Sequence, residues 1–129
     1  MGEFMALMYV AVAVGGALGS VLRYILSQLA AQTLGTTFPY GTWIVNAVGS
    51  LCIGFLAVGL TRCVKNPVVA ALLITGFLGG FTTFSSFMNE TMQYMMAGLW
   101  KQALGYLALQ LTCGLVMVFL GIVVARNLF

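Results

Sequence analysis

The chain has 129 residues, of which 62% are hydrophobic and only 5% are charged, and its mean hydropathy is +1.10. Soluble domains carry roughly 25% charged residues, so this composition excludes one and predicts an all-α integral membrane protein. The net charge of +3 is dispersed along the chain, which argues against a nucleic-acid-binding face. Because a membrane-spanning helix needs roughly 20 apolar residues, the chain has room for one domain of about four spans.

Two apolar runs in the first half of the chain predict the first two spans, over about residues 4–31 and about residues 41–60. A loop that contains Pro39 separates them. Arg23 lies inside the first run, and an ionisable residue within a span is a functional candidate by default. Its long side chain could instead extend to the membrane interface, and both interpretations stay open.

The second span carries Thr42, Asn46 and Ser50 at intervals of four residues, so these polar side chains share one helix face. A buried asparagine is costly without hydrogen-bond partners. Asn46 is therefore predicted either to bond a neighbouring helix or to donate to an anion.

The third span, over about residues 67–97, contains paired glycines followed by threonines, a pattern that predicts a helix break near residues 79–83. Non-helical backbone at membrane depth is tolerated only where it is buried in protein or lines a cavity. One interpretation is a kink that improves packing. The other is that carbonyls such as those of Gly79 and Thr82 converge on a cation.

A single break offers few oxygen ligands, so the cation interpretation favours a homodimer in which two breaks meet. The loop charges are only weakly asymmetric, with Arg62, Lys65 and Arg126 on one side and Lys101 on the other. A weak bias permits insertion in both orientations, and we therefore expect the two copies to lie antiparallel, with dual topology.

Aromatic and hydroxyl residues follow the predicted break. Phe84 and Phe87 share a face, whereas Ser85 and Ser86 point elsewhere and offer hydroxyl donors. Such a phenylalanine pair is usually packing, but the positive edges of aromatic rings can also stabilise a desolvated anion. Glu90 lies one turn further on, where a pore-mouth or structural role is expected.

The fourth span, over about residues 102–126, places Tyr106 and Gln110 one turn apart, as candidates for the opposite wall of a pathway or for packing. No enzyme function is expected, because the chain has no histidine, no paired carboxylates and no nucleophile with a base in reach. The cysteines Cys52, Cys63 and Cys113 lack metal-site spacing and are interpreted as small packing residues.

Three segments together resemble the Fluc fluoride channels of bacteria. They read GGALGSVLRY over residues 15–24, GTWIVNAVGS over residues 41–50 and GFLGGFTTFSSF over residues 76–87. The resemblance covers essentially the whole chain in order and spacing, and the third segment is the most specific.

This resemblance implies an antiparallel homodimer with two pores in the bacterial inner (plasma) membrane. It implies passive, selective fluoride export that relieves toxicity, and a central structural sodium ion (Na⁺). By motif, the carbonyls of Gly79 and Thr82 would hold the sodium ion, Asn46 would contact fluoride, and Phe84 and Phe87 would line the pore. Family members often carry hydroxyl residues along the fourth span, where this chain has Tyr106 and Gln110.

Two other classes of protein are weighed against this one. A small multidrug exporter also has four short helices in a dual-topology dimer, but it binds cationic drugs through a carboxylate in its first span, where the predicted helix has none. A non-conducting assembly subunit would use the glycines for packing alone. That interpretation leaves the break, Asn46 and the phenylalanine pair unexplained as a set.

Overall fold

The protein is described by a computed structural model that covers all 129 residues, and its regular elements are all helices. Four of its helical segments are long and apolar enough to cross a membrane. The predicted all-α fold and the predicted count of four spans are therefore confirmed, and the chain is a multi-pass membrane protein. The four spans are Gly2–Leu34, Tyr40–Val64, Pro67–Met96 and Trp100–Leu128.

Two of the spans contain π-helical turns, in which backbone hydrogen bonds reach one residue further than in an α-helix. The second span ends in one, Leu60–Val64, and the third contains a longer one, Ala71–Leu78. The helices are α1 (Gly2–Leu34), α2 (Tyr40–Gly59), α3 (residues 67–81, including the π-helical turns), α4 (Phe84–Met96) and α5 (Trp100–Leu128).

The outer helices are longer than the sequence patterns predict. α1 ends where Gly35 takes a left-handed φ of 88°, which glycine adopts without steric cost. At its other end α1 includes Glu3 in the first turn, so the first span does contain an acid. That acid is exposed and lies at the very end of the helix.

The third span changes geometry between α3 and α4. Thr82 has φ −82° and ψ 158°, and Thr83 has φ −147° and ψ 112°, both extended. The break was predicted over residues 79–83, whereas Gly79–Phe81 is helical. We call the two extended residues the Thr82–Thr83 segment.

Glycines bring α1 into backbone contact with α3. A Cβ atom added to Gly19 would lie 2.0 Å from the carbonyl oxygen of Phe77, and one added to Gly80 would lie 2.4 Å from that of Gly16. Small residues allow membrane helices to approach this closely. Gly76 and Gly80 of α3 are therefore needed for packing against α1. α2 packs chiefly against α5.

Candidate functional site

The side chain of Asn46, on α2, binds both backbone groups of Thr83. The Thr83 N–H donates to Asn46 Oδ1 at 2.7 Å, and Asn46 Nδ2 donates to the Thr83 carbonyl at 3.1 Å. In a continuous α-helix the Thr83 N–H would donate to the carbonyl of Gly79. Asn46 therefore stabilises the Thr82–Thr83 segment. It accepts the hydrogen bond from the Thr83 N–H that the Gly79 carbonyl would accept in a continuous helix.

Arg23, on α1, also binds a backbone group of the third span. Its Nε donates to the carbonyl oxygen of Gly80 at 2.9 Å, and Ser20 Oγ lies 3.5 Å from the same oxygen. In a continuous helix that carbonyl would accept from the N–H of Phe84. The Arg23 side chain is only partly exposed, and its Nε is engaged by the third span.

The family resemblance assigns the carbonyls of Gly79 and Thr82 to a cation, and their hydrogen bonding differs from that of the Gly80 carbonyl. No backbone N–H of the chain donates to the Thr82 carbonyl, and the helical donor to Gly79 is diverted to Asn46. Gly79 is also exposed, and a Cβ atom added there would meet only one atom within 4 Å, the Ile74 carbonyl oxygen at 3.9 Å. Packing within one chain therefore does not require glycine at this position.

A line of hydrogen bonds leads from Asn46 to Glu90. Asn46 Nδ2 also donates to Gln110 Oε1 at 3.4 Å, and Gln110 Nε2 donates to the Tyr106 hydroxyl at 2.9 Å. That hydroxyl donates to Glu90 Oε2 at 2.6 Å, while Thr42 donates to Glu90 Oε1 at 2.6 Å. We call these five residues the polar line, and they join α2, α4 and α5.

Aromatic rings lie beside the polar line. Phe87 meets the ring of Tyr106 edge-on at 5.3 Å between centroids and that of Phe84 at 5.9 Å. Phe87 is 4% exposed, whereas Phe84 is 71% exposed. The two phenylalanines predicted to line a pathway are thus adjacent, but only Phe87 is buried within the single chain.

A cavity of about 350 Å³ lies where these features meet. It combines amide groups, aromatic rings and the extended backbone of the third span. Its lining residues are Asn46, Gly49, Ser50, Ile53, Ile74, Leu78, Gly79, Thr82, Thr83, Phe84, Phe87, Gln110, Leu111 and Gly114.

Four predicted pathway residues do not line this cavity. Ser86 donates its N–H to the hydroxyl of Thr83, which caps α4, and Ser85 is exposed on the first turn. Tyr106 is fully buried and contacts two residues of the cavity wall, Phe87 and Gln110, without lining the cavity itself. Thr42 lies with Glu90 on a separate pocket of about 180 Å³.

Asn46 uses its amide group within the chain. Its amide carries two N–H donors, and both have acceptors within the chain, on Thr83 and Gln110. Asn46 is therefore not a free donor to an anion in this arrangement. It lies on the cavity wall, and its hydrogen bonds join α2 to the third span and to α5.

The sequence patterns do not predict the partners of these side chains. Thr83 as a cap could have been found, because a hydroxyl residue directly before a helix is a capping signal. The contacts of Arg23 with Gly80 and of Gln110 with Asn46 join residues 57 and 64 positions apart. No local pattern in the sequence reveals such pairs.

Comparisons with known proteins identify the family. The sequence profile described as "CrcB-like protein, Camphor Resistance (CrcB)" matches residues 10–122. Relatives named "Fluoride-specific ion channel FluC" include one from Roseiflexus sp. (strain RS-1), 48% identical over 92% of this chain and 97% of the relative. Another, from Opitutus terrae, is 47% identical over 94% of each chain. These relatives are named as ion channels and not as enzymes. The three sequence segments described above resemble such fluoride channels, and the chain belongs to the CrcB family.

Proposed function

We propose that the chain is a passive, highly selective fluoride channel that exports fluoride across the bacterial inner membrane and so relieves fluoride toxicity. The observation that carries the proposal is the cavity beside the Thr82–Thr83 segment, walled by Asn46, Phe84, Phe87 and Gln110. It occurs in a chain whose relatives from Roseiflexus and Opitutus are named fluoride-specific ion channels.

The chemistry of this wall suits a small anion. Aromatic ring edges carry partial positive charge, and Phe84 and Phe87 are arranged edge-to-face. The amide side chains in the wall are polar but carry no full positive charge that would trap the ion. Conduction requires binding that is strong enough to admit an ion and weak enough to release it.

We propose that two copies assemble as an antiparallel, dual-topology homodimer with two pores. Gly79 and the largely exposed Phe84 support this assembly, because both face away from the packed interior of a single chain. A second copy covering this surface would bury the Phe84 ring and use the glycine for close approach.

A structural sodium ion would fit between the two copies. The Thr82 carbonyl has no backbone donor, and the helical donor of Gly79 is diverted, so each copy offers two carbonyl oxygens of the kind that a hard cation prefers. When bound, the ion would supply a fixed positive charge beside the anion path. Arg23 occupies the intervening Gly80 carbonyl and so keeps it out of that ligand set.

The alternative function, a small multidrug exporter that exchanges drug for protons, is less well supported. The only acid in the first span is Glu3, which is exposed in the first turn. Glu90, the other acid of the chain, is engaged by two hydroxyl donors on α2 and α5. The names of the relatives likewise favour the fluoride channel.

The proposal is tested by ion efflux from liposomes that contain the purified protein. Fluoride loaded inside should leave rapidly once an ionophore dissipates the membrane potential, whereas chloride should be retained. Equal efflux of chloride would contradict the selectivity. Proton-coupled drug uptake without fluoride efflux would favour the multidrug exporter.

The orientation of the copies is tested with Cys63, which is exposed at the end of the second span, in a variant that lacks Cys52 and Cys113. A membrane-impermeant thiol reagent added outside intact cells should label about half of the copies. Labelling of all copies or of none would contradict dual topology. Replacing sodium with a bulky organic cation during purification should weaken the dimer if the sodium proposal is correct.

A further inference from the structure

We infer that Gln110 supplies the N–H donor that binds fluoride in the cavity, and that Glu90, acting through Tyr106, fixes the orientation of the Gln110 amide. This inference rests on the proposed function, and it assigns the anion-selective contact to a residue at which the chain departs from the hydroxyl pattern of the family it resembles.

Glu90 determines the direction at one end. An ionised carboxylate only accepts hydrogen bonds, and Glu90 accepts from the hydroxyls of Tyr106 and Thr42, each at 2.6 Å. A tyrosine hydroxyl has a single proton, which Tyr106 therefore donates to Glu90. The Tyr106 oxygen can then only accept from its second neighbour, so the Gln110 atom 2.9 Å away must be the amide nitrogen.

The orientation of Gln110 fixes that of Asn46 in turn. With its nitrogen toward Tyr106, Gln110 presents its oxygen to Asn46, which donates to it at 3.4 Å. The remaining N–H of Asn46 donates to the Thr83 carbonyl, and its oxygen accepts from the Thr83 N–H. Both donors of the Asn46 amide are thereby used within the chain.

One donor remains on the polar line. The Gln110 nitrogen carries two hydrogens, and only the bond to Tyr106 uses one of them. Gln110 is 7% exposed and lines the same cavity as Phe84 and Phe87. A buried donor without a partner is costly, and an anion in the cavity would satisfy it.

The attraction between an ion and a donor grows as their separation shrinks, so a single N–H of this kind holds a small anion such as fluoride more strongly than it holds chloride, and so replaces more of the attraction to water that the ion loses. Glu90 is a positioning residue in this scheme, since it determines which amide atom faces Tyr106 and which donor remains free.

The first test compares two glutamine substitutions on α5 in fluoride and chloride efflux from liposomes. Gln110→Met keeps the length of the side chain and removes the donor, and we expect fluoride efflux to fall about tenfold or more, the scale of one hydrogen bond to a charged group. Gln102→Met changes an exposed glutamine near the start of the same helix, and its efflux should stay within about twofold of the unmodified protein. Wild-type efflux from Gln110→Met would overturn the inference.

The second test measures the dependence of Gln110 on Glu90. Glu90→Gln adds a donor next to Tyr106 and allows the polar line to reverse, so we expect it to lower fluoride efflux and the preference for fluoride over chloride. In the Gln110→Met background the same substitution should cause no further loss, because coupled residues are not additive. Additive losses would show that Glu90 does not act through Gln110.

Gln110→Ser is the variant to test if Gln110→Met fails to fold. A serine hydroxyl keeps one donor but can rotate freely, so fluoride efflux should persist while its sensitivity to Glu90→Gln disappears. Persisting sensitivity would contradict the inference. Fluoride efflux from the unmodified protein is the separate control. If the unmodified protein released no fluoride, the proposed function itself would be contradicted. If the unmodified protein and Gln110→Met released fluoride equally fast, only this inference would be contradicted.

Discussion

The third span has two faces that are built on different principles. Toward α1, its glycines allow backbone to touch backbone, as where Gly80 approaches Gly16. Toward α2 and α5, it is held by side-chain hydrogen bonds, as where Asn46 binds Thr83 at both its N–H and its carbonyl. The first face leaves no space for an added atom, and the second borders a cavity of about 350 Å³.

This difference separates what maintains the fold from what would bind an ion. A carbonyl oxygen in a packed helix cannot move away from an added methyl group, so the glycine face should resist any enlargement. Hydrogen-bonding side chains around a cavity can be exchanged for others of similar size with smaller effects on packing. Substitutions on the glycine face should therefore remove the folded protein, and those on the hydrogen-bonded face should change the flux of ions.

The largest effect is expected for Gly19→Ala. The added Cβ would lie 2.0 Å from the Phe77 carbonyl oxygen, and overpacking of a rigid contact costs about 3 kcal/mol or more. We expect loss of the monodisperse protein or a much lower unfolding temperature in detergent, measured by size-exclusion chromatography and thermal unfolding.

Gly105→Ala is the matched control for that change. Gly105 is exposed on α5, and an added Cβ would meet nothing within 4 Å, so stability should change by no more than about 1 kcal/mol. If the two alanine variants were equally stable, the distinction between the two faces would be lost.

Asn46→Asp should have the next largest effect, on fluoride flux. An aspartate can still accept from the Thr83 N–H, but it turns an oxygen toward the Thr83 carbonyl and toward Gln110, where Asn46 now donates. It also adds negative charge to the wall of an anion path. We expect a loss of roughly 100-fold in fluoride efflux, equivalent to about 2.7 kcal/mol, and undiminished efflux would remove Asn46 from the proposed wall.

The two phenylalanines should respond differently to leucine. Phe84→Leu changes a largely exposed ring and should lower fluoride efflux about three- to tenfold, the scale of an aromatic interaction, while stability is retained. Phe87→Leu changes a ring that is 4% exposed, so it should lower both efflux and the unfolding temperature. An intact dimer with wild-type efflux would exclude either residue from the lining.

The smallest effect is expected for Thr42→Val. This change keeps the shape of the side chain and removes one of the two hydroxyl donors to Glu90, while the second donor, Tyr106, remains and continues to hold the carboxylate. Fluoride efflux should fall by a few-fold at most. A complete loss of efflux would show that the Thr42 contact matters more than the rest of the polar line.

Local patterns in the sequence predict much of this structure. Apolar runs give the four spans, and the four-residue spacing of Thr42, Asn46 and Ser50 predicts a shared polar face. In the structure Thr42 bonds Glu90, while Asn46 and Ser50 line the cavity. The glycine and threonine pattern of the third span also directs attention to the region where Thr82 and Thr83 are extended.

Such patterns do not predict which residues the polar side chains bind. Nothing local to Arg23 indicates that it binds Gly80, and nothing near Gln110 indicates that it lies between Asn46 and Tyr106. These contacts depend on how far each helix is rotated and shifted along its neighbour, and glycine contacts elsewhere in the fold fix that register. The free donor on Gln110 could be recognised only once every other bond was assigned.

The most direct test of fluoride-selective conduction is the reversal potential of a planar bilayer that contains the protein, with fluoride on one side and chloride on the other. A fluoride-selective channel should give a current whose reversal potential is strongly displaced in the direction that fluoride permeability dictates. A reversal potential near zero, which signals equal permeability to the two halides, would contradict it.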